Sequence, residues 1–239
     1  MVITTNAIVL SSLKYSEADL IVKCYTESSG LKSYLLKNIL KSRKGKLKAS
    51  YFQPLTLLEL EVVHKDKGNL ERINEAKVLY HYRTLHTKVV KSAMVIFIAE
   101  VLTNSIQEEV EDKVLFQFLM NSFIWLDDNN EIANFHILFL LKLSGHLGFY
   151  PDNSSLAYSY FNLLEGNFQP IGNGKYCENG VHVEILKQFF GIEFDEISRI
   201  KPTKKIRLDI LNLMLLYYQL HLQSFKKPKS LLVLNQIFE

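Results

Sequence analysis

The sequence predicts an α+β protein in which a small five-stranded β-barrel precedes a helical region. Three observations support this fold class. The first 80 residues contain short runs of branched and aromatic residues separated by turn-forming residues, which is typical of short strands. From about residue 82 the apolar residues recur every three or four positions, which is typical of helices. Residues 151–182 hold most of the prolines and glycines that follow the barrel and therefore predict an irregular insertion.

The predicted strands cover residues 7–10, 20–25, 31–36, 55–63 and 70–79. Segments rich in turn-forming residues separate them at 15–19, 26–30 and 64–69. In the fourth strand, Thr56, Glu59 and Glu61 alternate with apolar residues, which suits a strand with one face in water. Short strands at this spacing favour a small closed barrel, because closure removes exposed strand edges. The periodicity fits an OB-type barrel and an SH3-like barrel equally well.

The predicted helices cover residues 89–102, 115–126, 131–147, 183–190 and 206–225. The third helix ends where Gly148 and Pro151 break the pattern. We therefore divide the chain into a barrel domain at 1–80, helical parts at 81–150 and 183–239, and an irregular insertion at 151–182.

Composition and apolar patterning predict a folded, cytoplasmic protein. The chain has 239 residues, of which 48% are apolar and 22% charged, as in globular proteins. Its N-terminus lacks the pattern of a signal peptide, and its apolar stretches are shorter than the roughly 18 residues that a membrane span needs. Cys24 and Cys177 are too few for a disulfide framework, which suits a reducing compartment.

No motif in the sequence predicts catalysis. Gly174-Lys175 has neither the upstream glycine nor the following Ser or Thr of a phosphate loop. The histidines form no His-Glu-x-x-His pattern, and His136 is predicted to lie on a helix surface or to be partly buried. The acidic group at 108–112 is predicted to be a solvated helix terminus, and residues 127–130 a turn and helix cap. We therefore predict a protein with no enzymatic activity, cofactor or bound metal.

Basic residues are concentrated in the first third of the chain, where residues 1–80 contain 13 basic and 8 acidic residues. Between Ser28 and Leu58 there are seven basic residues and no acidic one, and aromatic residues flank them. Cationic side chains bind phosphates, and aromatic rings stack on unpaired bases. We predict a DNA-binding site made of Lys32, Tyr34, Lys37, Lys41, Arg43, Lys44, Lys46, Lys48 and Tyr51. The alternative is a solvated lysine-rich loop, with Tyr34 and Phe52 in the barrel core.

A second, smaller group of basic residues lies near the C-terminus and predicts a secondary DNA contact. Its members are Lys204, Lys205, Arg207, Lys226, Lys227 and Lys229. Two cationic surfaces would allow the protein to anneal strands without ATP, since each surface screens the repulsion between polyanions. A solvated helix end is the alternative for this group.

Several segments, taken in order, resemble the bacterial RecO family of recombination mediators. The similar segments are AIVL at 7–10, YSEADL at 15–20, YTESSGL at 25–31, the basic stretch at 37–48, QPLTLLEL at 53–60, LGFYPD at 147–152 and the tail at 221–230. The resemblance implies an N-terminal OB-fold, a central helical domain and a small C-terminal insertion. It also implies a nucleoid-associated DNA repair protein that binds single- and double-stranded DNA, anneals complementary strands and does not hydrolyse nucleotides. The implied protein partners are RecR, the acidic C-terminal tail of single-strand binding protein and, indirectly, RecA.

The insertion differs from that of many family members, which carry a four-cysteine zinc finger. Residues 153–160 contain no cysteine, and glycines occupy positions 174 and 180 on either side of Cys177. A tetrahedral cysteine site therefore cannot form, and we predict that zinc is absent. Short strands and aromatic packing would replace it, through Tyr158, Tyr160, Phe161 and Phe168.

The helix at 134–147 is predicted to provide one wall of a pocket for the acidic tail of the partner protein. The predicted pocket residues are Phe135, Phe139, Leu140, Lys142 and Leu143. Some relatives have basic residues just before this helix, whereas this chain has Ala133 and Asn134 there. Lys142, His146 or the tail lysines would have to replace them. Core packing is the alternative for the apolar members.

Two other functions remain compatible with the residues themselves. The barrel could bind peptides as a protein-interaction adaptor, or it could bind RNA, because nothing in the sequence measures tolerance of a 2′-hydroxyl. DNA binding that weakens steeply with salt would distinguish a nucleic-acid-binding barrel from a peptide adaptor.

Overall fold

The computed structural model describes residues 2–41, 47–64 and 70–237 and confirms the predicted α+β fold class. The chain forms two compact units, Met1–Asp127 and Asp128–Glu239, which are called unit 1 and unit 2 below. The predicted boundary at residue 80 thus falls inside unit 1, which contains the barrel together with the first two helices.

The described part of unit 1 contains a five-stranded antiparallel sheet in the order β3-β2-β1-β4-β5. Its strands are β1 Val2–Lys14, β2 Leu20–Thr26, β3 Gly30–Leu36, β4 Leu57–Val63 and β5 Arg72–Val78. A parallel bridge between Tyr34 and Glu71 joins the two outer strands. There the Leu35 amide donates to the Glu71 carbonyl at 3.0 Å, and the Glu71 amide donates to the Ser33 carbonyl at 2.8 Å. This bridge closes the sheet into an OB-like barrel.

Strand β1 is longer than predicted because polar residues at both of its ends still form strand pairs. It pairs with β4 from Val2 to Ile8 and with β2 from Ala7 to Lys14. A bulge between Val9 and Ser11 shifts the register and bends the strand, so that β1 passes from one neighbour to the other.

Two helices, α1 Val89–Ser105 and α2 Lys113–Asp128, complete unit 1. The acidic group at 108–112 lies in the non-helical segment between them. Its last member, Asp112, lies at the N-terminus of α2, as predicted, where its carboxylate accepts the Leu115 amide at 2.9 Å. The segment crosses the β2–β3 turn, where the Leu31 amide donates to the Glu108 carbonyl at 3.1 Å. Gly30 has a φ of +62° there, and a Cβ on it would lie 2.5 Å from the Val110 carbonyl oxygen. This turn therefore requires glycine.

Asp127 is not the predicted turn or cap residue. It lies in the last turn of α2 and is buried, and its carboxylate accepts backbone N–H groups of the loop before α1. Those donors belong to Arg83, Thr84 and Leu85. The sequence did not indicate this role for Asp127, because the three N–H donors lie more than 40 residues before it in the chain.

Unit 2 contains a small sheet and several helices. Its elements are α3 Phe135–His146, β6 Tyr160–Asn162, β7 Asn167–Gln169, β8 Cys177–Glu178, α4 Val181–Lys187, α5 Lys204–His221 and α6 Leu231–Ile237. Helix α3 is shorter than predicted, and α6 was not predicted. In the insertion, Phe161 and Phe168 are buried and their rings stack at 4.9 Å, whereas Tyr158 is exposed. The insertion is thus held by strands and aromatic packing, and its sheet order is β7-β6-β8.

Within residues 2–41, 47–64 and 70–237, none of the helices combines the length and hydropathy needed to cross a bilayer.

Candidate nucleic-acid interface

Three of the predicted DNA-binding lysines of the barrel are exposed. These are Lys37, Lys41 and Lys48, and the ring of Tyr51 is half-buried beside Lys48. The Lys48 Nζ lies 5.6 Å from the centroid of that ring, within the range of a cation–π interaction. Lys41 contacts Glu17 at 3.2 Å, but both side chains are solvated, and such pairs contribute little. Of the other predicted members, Arg43, Lys44 and Lys46 lie outside the described residues.

Tyr34 and Lys32 do not occupy the predicted binding surface. Tyr34 is fully buried in the barrel core, and its hydroxyl is hydrogen-bonded to His64 Nε2 at 2.9 Å. Burial raises the pKa of this hydroxyl. Lys32 lies opposite Cys24 on the inward side of the sheet, and its Nζ is 3.1 Å from Glu109. The prediction was wrong for both residues, because a buried ring cannot stack on a base and a paired lysine is already neutralised.

A cavity of about 470 Å³ lies between the end of β3 and the start of β5, next to the basic stretch. Its volume is in the range of small-ligand pockets. The lining residues are Leu35, Leu36, Lys37, Leu47, Leu70, Glu71, Arg72 and Ile73. Sequence reasoning missed Arg72 and the leucines, because only barrel closure brings residue 35 next to residues 70–73. The only indication in the sequence was that Arg72 is a basic residue near the start of a predicted strand.

The secondary basic group lies on helix α5 and on the segment that follows it. The Lys227 Nζ donates to Asn212 Oδ1 at 2.9 Å, so the chain that follows α5 runs back beside it. Five lysines of the group are exposed, namely Lys204, Lys205, Lys226, Lys227 and Lys229. Arg207 differs, because it is half-buried and donates to Asn134 Oδ1 at 3.0 Å and to the Pro202 carbonyl at 3.4 Å.

The apolar residues predicted to form a partner pocket belong to the core of unit 2. Phe135, Phe139, Leu140 and Leu143 each have a relative exposure of 0%. The Phe135 ring stacks between Phe139 at 5.7 Å and Phe194 at 4.9 Å. Lys142 contacts Glu193 at 2.8 Å. The predicted pocket is therefore wrong at this place, since these apolar side chains of helix α3 are buried.

A different cavity, of about 220 Å³, lies at the start of α5. Its walls are formed by His136, Lys204, Lys205, Arg207, Leu208, Leu211, Leu234 and Asn235. His136 is buried, contrary to the prediction, and its pKa is lowered to about 3 by burial and, second, by the nearby Arg207 charge. The imidazole is therefore neutral near pH 7. The cavity combines leucine walls with three cations, and sequence reasoning missed it because its residues come from α3, α5 and α6.

Two family models match this chain and together span most of it. The model described as "Recombination protein O N terminal" matches residues 1–82, and "Recombination protein O C terminal" matches residues 86–231. The chain belongs to the RecO family. The resemblance of the short segments is thereby confirmed, and so is the OB-like assignment of the barrel.

Curated relatives of this RecO family chain are similar over their full length. The chain is 52% identical over 238 residues to the DNA repair protein RecO of Christiangramia forsetii and 43% identical over 239 residues to that of Flavobacterium psychrophilum. Both alignments cover 100% of each chain. The DNA repair protein RecO of Bacteroides fragilis is 35% identical over 240 residues, with 98% of each chain covered.

The insertion of this RecO family chain shows no cluster of metal ligands in the part of the chain that the structure describes. Across those residues, His, Cys, Asp and Glu side chains form no group of three or more that could hold a metal ion. The Cys177 thiol donates to the Asn173 carbonyl at 2.9 Å. The absence of zinc from the purified protein stays a prediction, and elemental analysis tests it.

Proposed function

We propose that this protein is a non-catalytic mediator of DNA repair and recombination that binds single- and double-stranded DNA through the basic side of its barrel. The observation that supports this function is the exposure of Lys37, Lys41 and Lys48 on an OB-like barrel, within a segment that has seven basic residues and no acidic one. Phosphates bind such a surface whatever the base sequence, because binding releases condensed counterions. The names of the relatives, DNA repair proteins, agree with this function.

Strand annealing follows from the two separate groups of cations. The barrel lysines form one group, and the exposed lysines along α5 form the other. A cationic surface reduces the repulsion between two DNA strands, and this effect requires no nucleotide hydrolysis. We further propose, on family membership, that the protein cooperates with RecR in loading RecA onto strands covered by single-strand binding protein.

We expect the purified protein to accelerate pairing of complementary oligonucleotides without ATP, and moderate salt to suppress that acceleration. Fluorescence anisotropy with labelled DNA and with RNA of the same sequence, at several salt concentrations, gives the binding constants. Phosphate-dominated binding produces a steep negative slope of log K against log salt. An ATP requirement, or no acceleration at a salt concentration where DNA is bound, would contradict annealing. Absence of DNA binding at low salt would favour the peptide-adaptor function, and tighter binding of RNA would favour an RNA-binding function.

The cavity at the start of α5 is the place that best suits the acidic tail of single-strand binding protein. Leu208, Leu211 and Leu234 offer an apolar wall, and Lys204, Lys205 and Arg207 offer positive charge at its edge. Asn134 accepts a hydrogen bond from Arg207 and so holds its guanidinium in position. Some relatives have a basic residue where this chain has Asn134, and here the positive charge comes from Arg207 on α5 instead. The N-terminal end of α5 adds a positive dipole.

We expect charge reversal of Lys204 and Lys205 to weaken binding of that acidic tail peptide by about tenfold or more, because two charge-assisted contacts are lost. The matched control reverses Lys175 and Lys201, which are both exposed and do not line the cavity, so it changes the net charge by the same amount. Anisotropy with a labelled peptide, and with the same peptide carrying amides in place of its carboxylates, measures the effect. An equal loss of peptide affinity in both variants, or equal affinity for the two peptides, would show that the tail does not bind in this cavity.

A further inference from the structure

Two lysines at the start of α5 belong to both of the surfaces described in unit 2. Lys204 and Lys205 are members of the exposed cationic group along α5, and they also line the 220 Å³ cavity. Among the residues that the structure describes, neither lysine has an ion-pair or hydrogen-bond partner. Their charge is therefore available to a ligand, and both ligands proposed for unit 2, DNA and the acidic tail, are anionic.

The cavity is too small to enclose a whole peptide. Its volume of about 220 Å³ is below the roughly 300–1,000 Å³ of pockets that enclose small ligands. It therefore takes a single large apolar side chain or two small ones, against the wall of Leu208, Leu211 and Leu234. The carboxylates of the peptide stay outside, where the cations at the edge neutralise them. A bound acidic peptide thus covers Lys204 and Lys205.

A DNA strand that follows α5 needs the same end of the helix. Lys205 and Asn212 are two turns apart, so they lie on one side of α5 at a distance of about 10 Å along its axis. The Lys227 Nζ donates to Asn212 Oδ1 at 2.9 Å and brings a second charge to that side. A strand carries one phosphate per about 3.4 Å, so three or four phosphates span the distance. Asp209 lies between the two positions, and its carboxylate repels phosphates, so the strand depends on the cations at both ends.

We propose that the acidic tail and a second DNA strand compete for Lys204 and Lys205, so that tail binding and strand annealing exclude each other. A carboxylate and a phosphate repel each other and do not share one ammonium group at close range. The inference rests on the proposed function and adds a regulation of it. A protein held by the tail binds one strand through its barrel and captures the second only after the tail leaves. The exclusion is reciprocal, because it is a coupling between two binding free energies.

The test follows annealing of two complementary oligonucleotides by the full chain while the acidic tail peptide is added. At a peptide concentration about ten times its dissociation constant, exclusive binding predicts annealing that is about tenfold slower. Binding of one labelled strand, measured by anisotropy, should change by less than about twofold, because the barrel lysines still bind its phosphates. The same peptide with amides in place of its carboxylates is the control and should leave annealing unchanged. In the reverse experiment, unlabelled DNA should displace the labelled acidic peptide.

A variant of the cavity wall shows where the peptide acts. Leu208→Ala removes apolar contact from the cavity but no cation, and we expect the same slowing to need about tenfold more peptide. Leu164→Ala is the matched control, because Leu164 is an exposed leucine of unit 2 outside the cavity lining, and it should keep the wild-type sensitivity. Each variant is compared with itself, with and without peptide, so a change in its own annealing rate cancels.

The outcomes separate this inference from the proposed function. If the peptide saturates the wild-type protein and annealing is unchanged, the shared site is overturned, while both surfaces of the proposed function stand. If the amide peptide slows annealing equally, or Leu208→Ala is as sensitive as the wild type, the peptide acts elsewhere and the inference is likewise overturned. A wild-type protein that binds no peptide, or that does not anneal without it, contradicts the proposed function itself and the inference with it.

Discussion

Reversing the charge of Lys41, Arg43, Lys44 and Lys46 to glutamate is expected to abolish DNA binding without unfolding the barrel. The four residues belong to the stretch without acidic residues, and Lys41 is exposed at its described edge. Each phosphate contact that is lost should flatten the slope of log K against log salt by about one unit. Anisotropy over a range of salt concentrations measures both the affinity and the slope.

The matched control carries four reversals elsewhere in unit 1. Lys77, Arg83, Lys88 and Lys113 are all exposed and lie outside the basic stretch. Their replacement by glutamate changes the net charge by the same amount, and we expect it to keep most of the affinity and the slope. Circular dichroism and thermal unfolding verify that both variants fold. Equal binding by the two folded variants would remove the basic stretch from the DNA site.

Replacing Asp127 with alanine is expected to destabilise unit 1 by about 3–5 kcal/mol, because three backbone N–H groups lose a charged acceptor. The Asp127 carboxylate accepts backbone N–H groups from Arg83 at 2.9 Å, from Thr84 at 2.7 Å and from Leu85 at 2.7 Å. Lys91 is buried as well, and its Nζ donates to the Asp127 carbonyl and to Thr84 Oγ1. Alanine leaves the three amides without this acceptor, whereas Lys91 keeps the main-chain carbonyl of residue 127.

Asp128→Ala is the control, because the adjacent residue is exposed and its truncation should change stability by less than about 0.5 kcal/mol. Trp125, the single tryptophan of the chain, lies two residues before Asp127, and its fluorescence therefore reports unfolding of this region in denaturant. Equal free energies of unfolding for the two variants would contradict the assigned role of Asp127.

The same carboxylate makes the stability of unit 1 dependent on pH. Burial by itself raises the pKa of Asp127, but the backbone hydrogen bonds from Arg83, Thr84 and Leu85 outweigh it and hold the pKa below its usual value of 3.8. A depressed pKa in the folded state stabilises the protein above the pKa of the unfolded state, and this contribution is lost as the pH falls through the folded pKa. Asp127→Asn should remove this part of the acid sensitivity, which unfolding curves below about pH 4 would measure.

Local pattern was enough for the order of elements but not for the identity of the exposed residues. Tyr34 and Tyr51 both lie beside lysines in the sequence and were predicted to have the same role. Strand register places Tyr34 inside the barrel, whereas Tyr51 lies half-buried beside Lys48. Lys32 likewise turned inward and paired with Glu109, a residue 77 positions away. Successive side chains of a strand point to opposite faces of the sheet, and composition does not show which face a given residue occupies.

The sequence by itself determined the fold class, the change from strands to helices near residue 82, the basic stretch and the family. Each of these depends on residues that are close together in the chain, through propensity, periodicity or ordered motifs. The tertiary structure alone decided that Phe135 and its neighbours are core, because a helix that is apolar all round has no preferred face in its pattern. The tertiary structure also decided where the two cavities lie. One brings together His136, Arg207 and Leu234, and the other brings together Leu35 and Arg72. These residues meet only after distant segments of the chain pack. Burial is a property of those long-range contacts, and no local pattern specifies them.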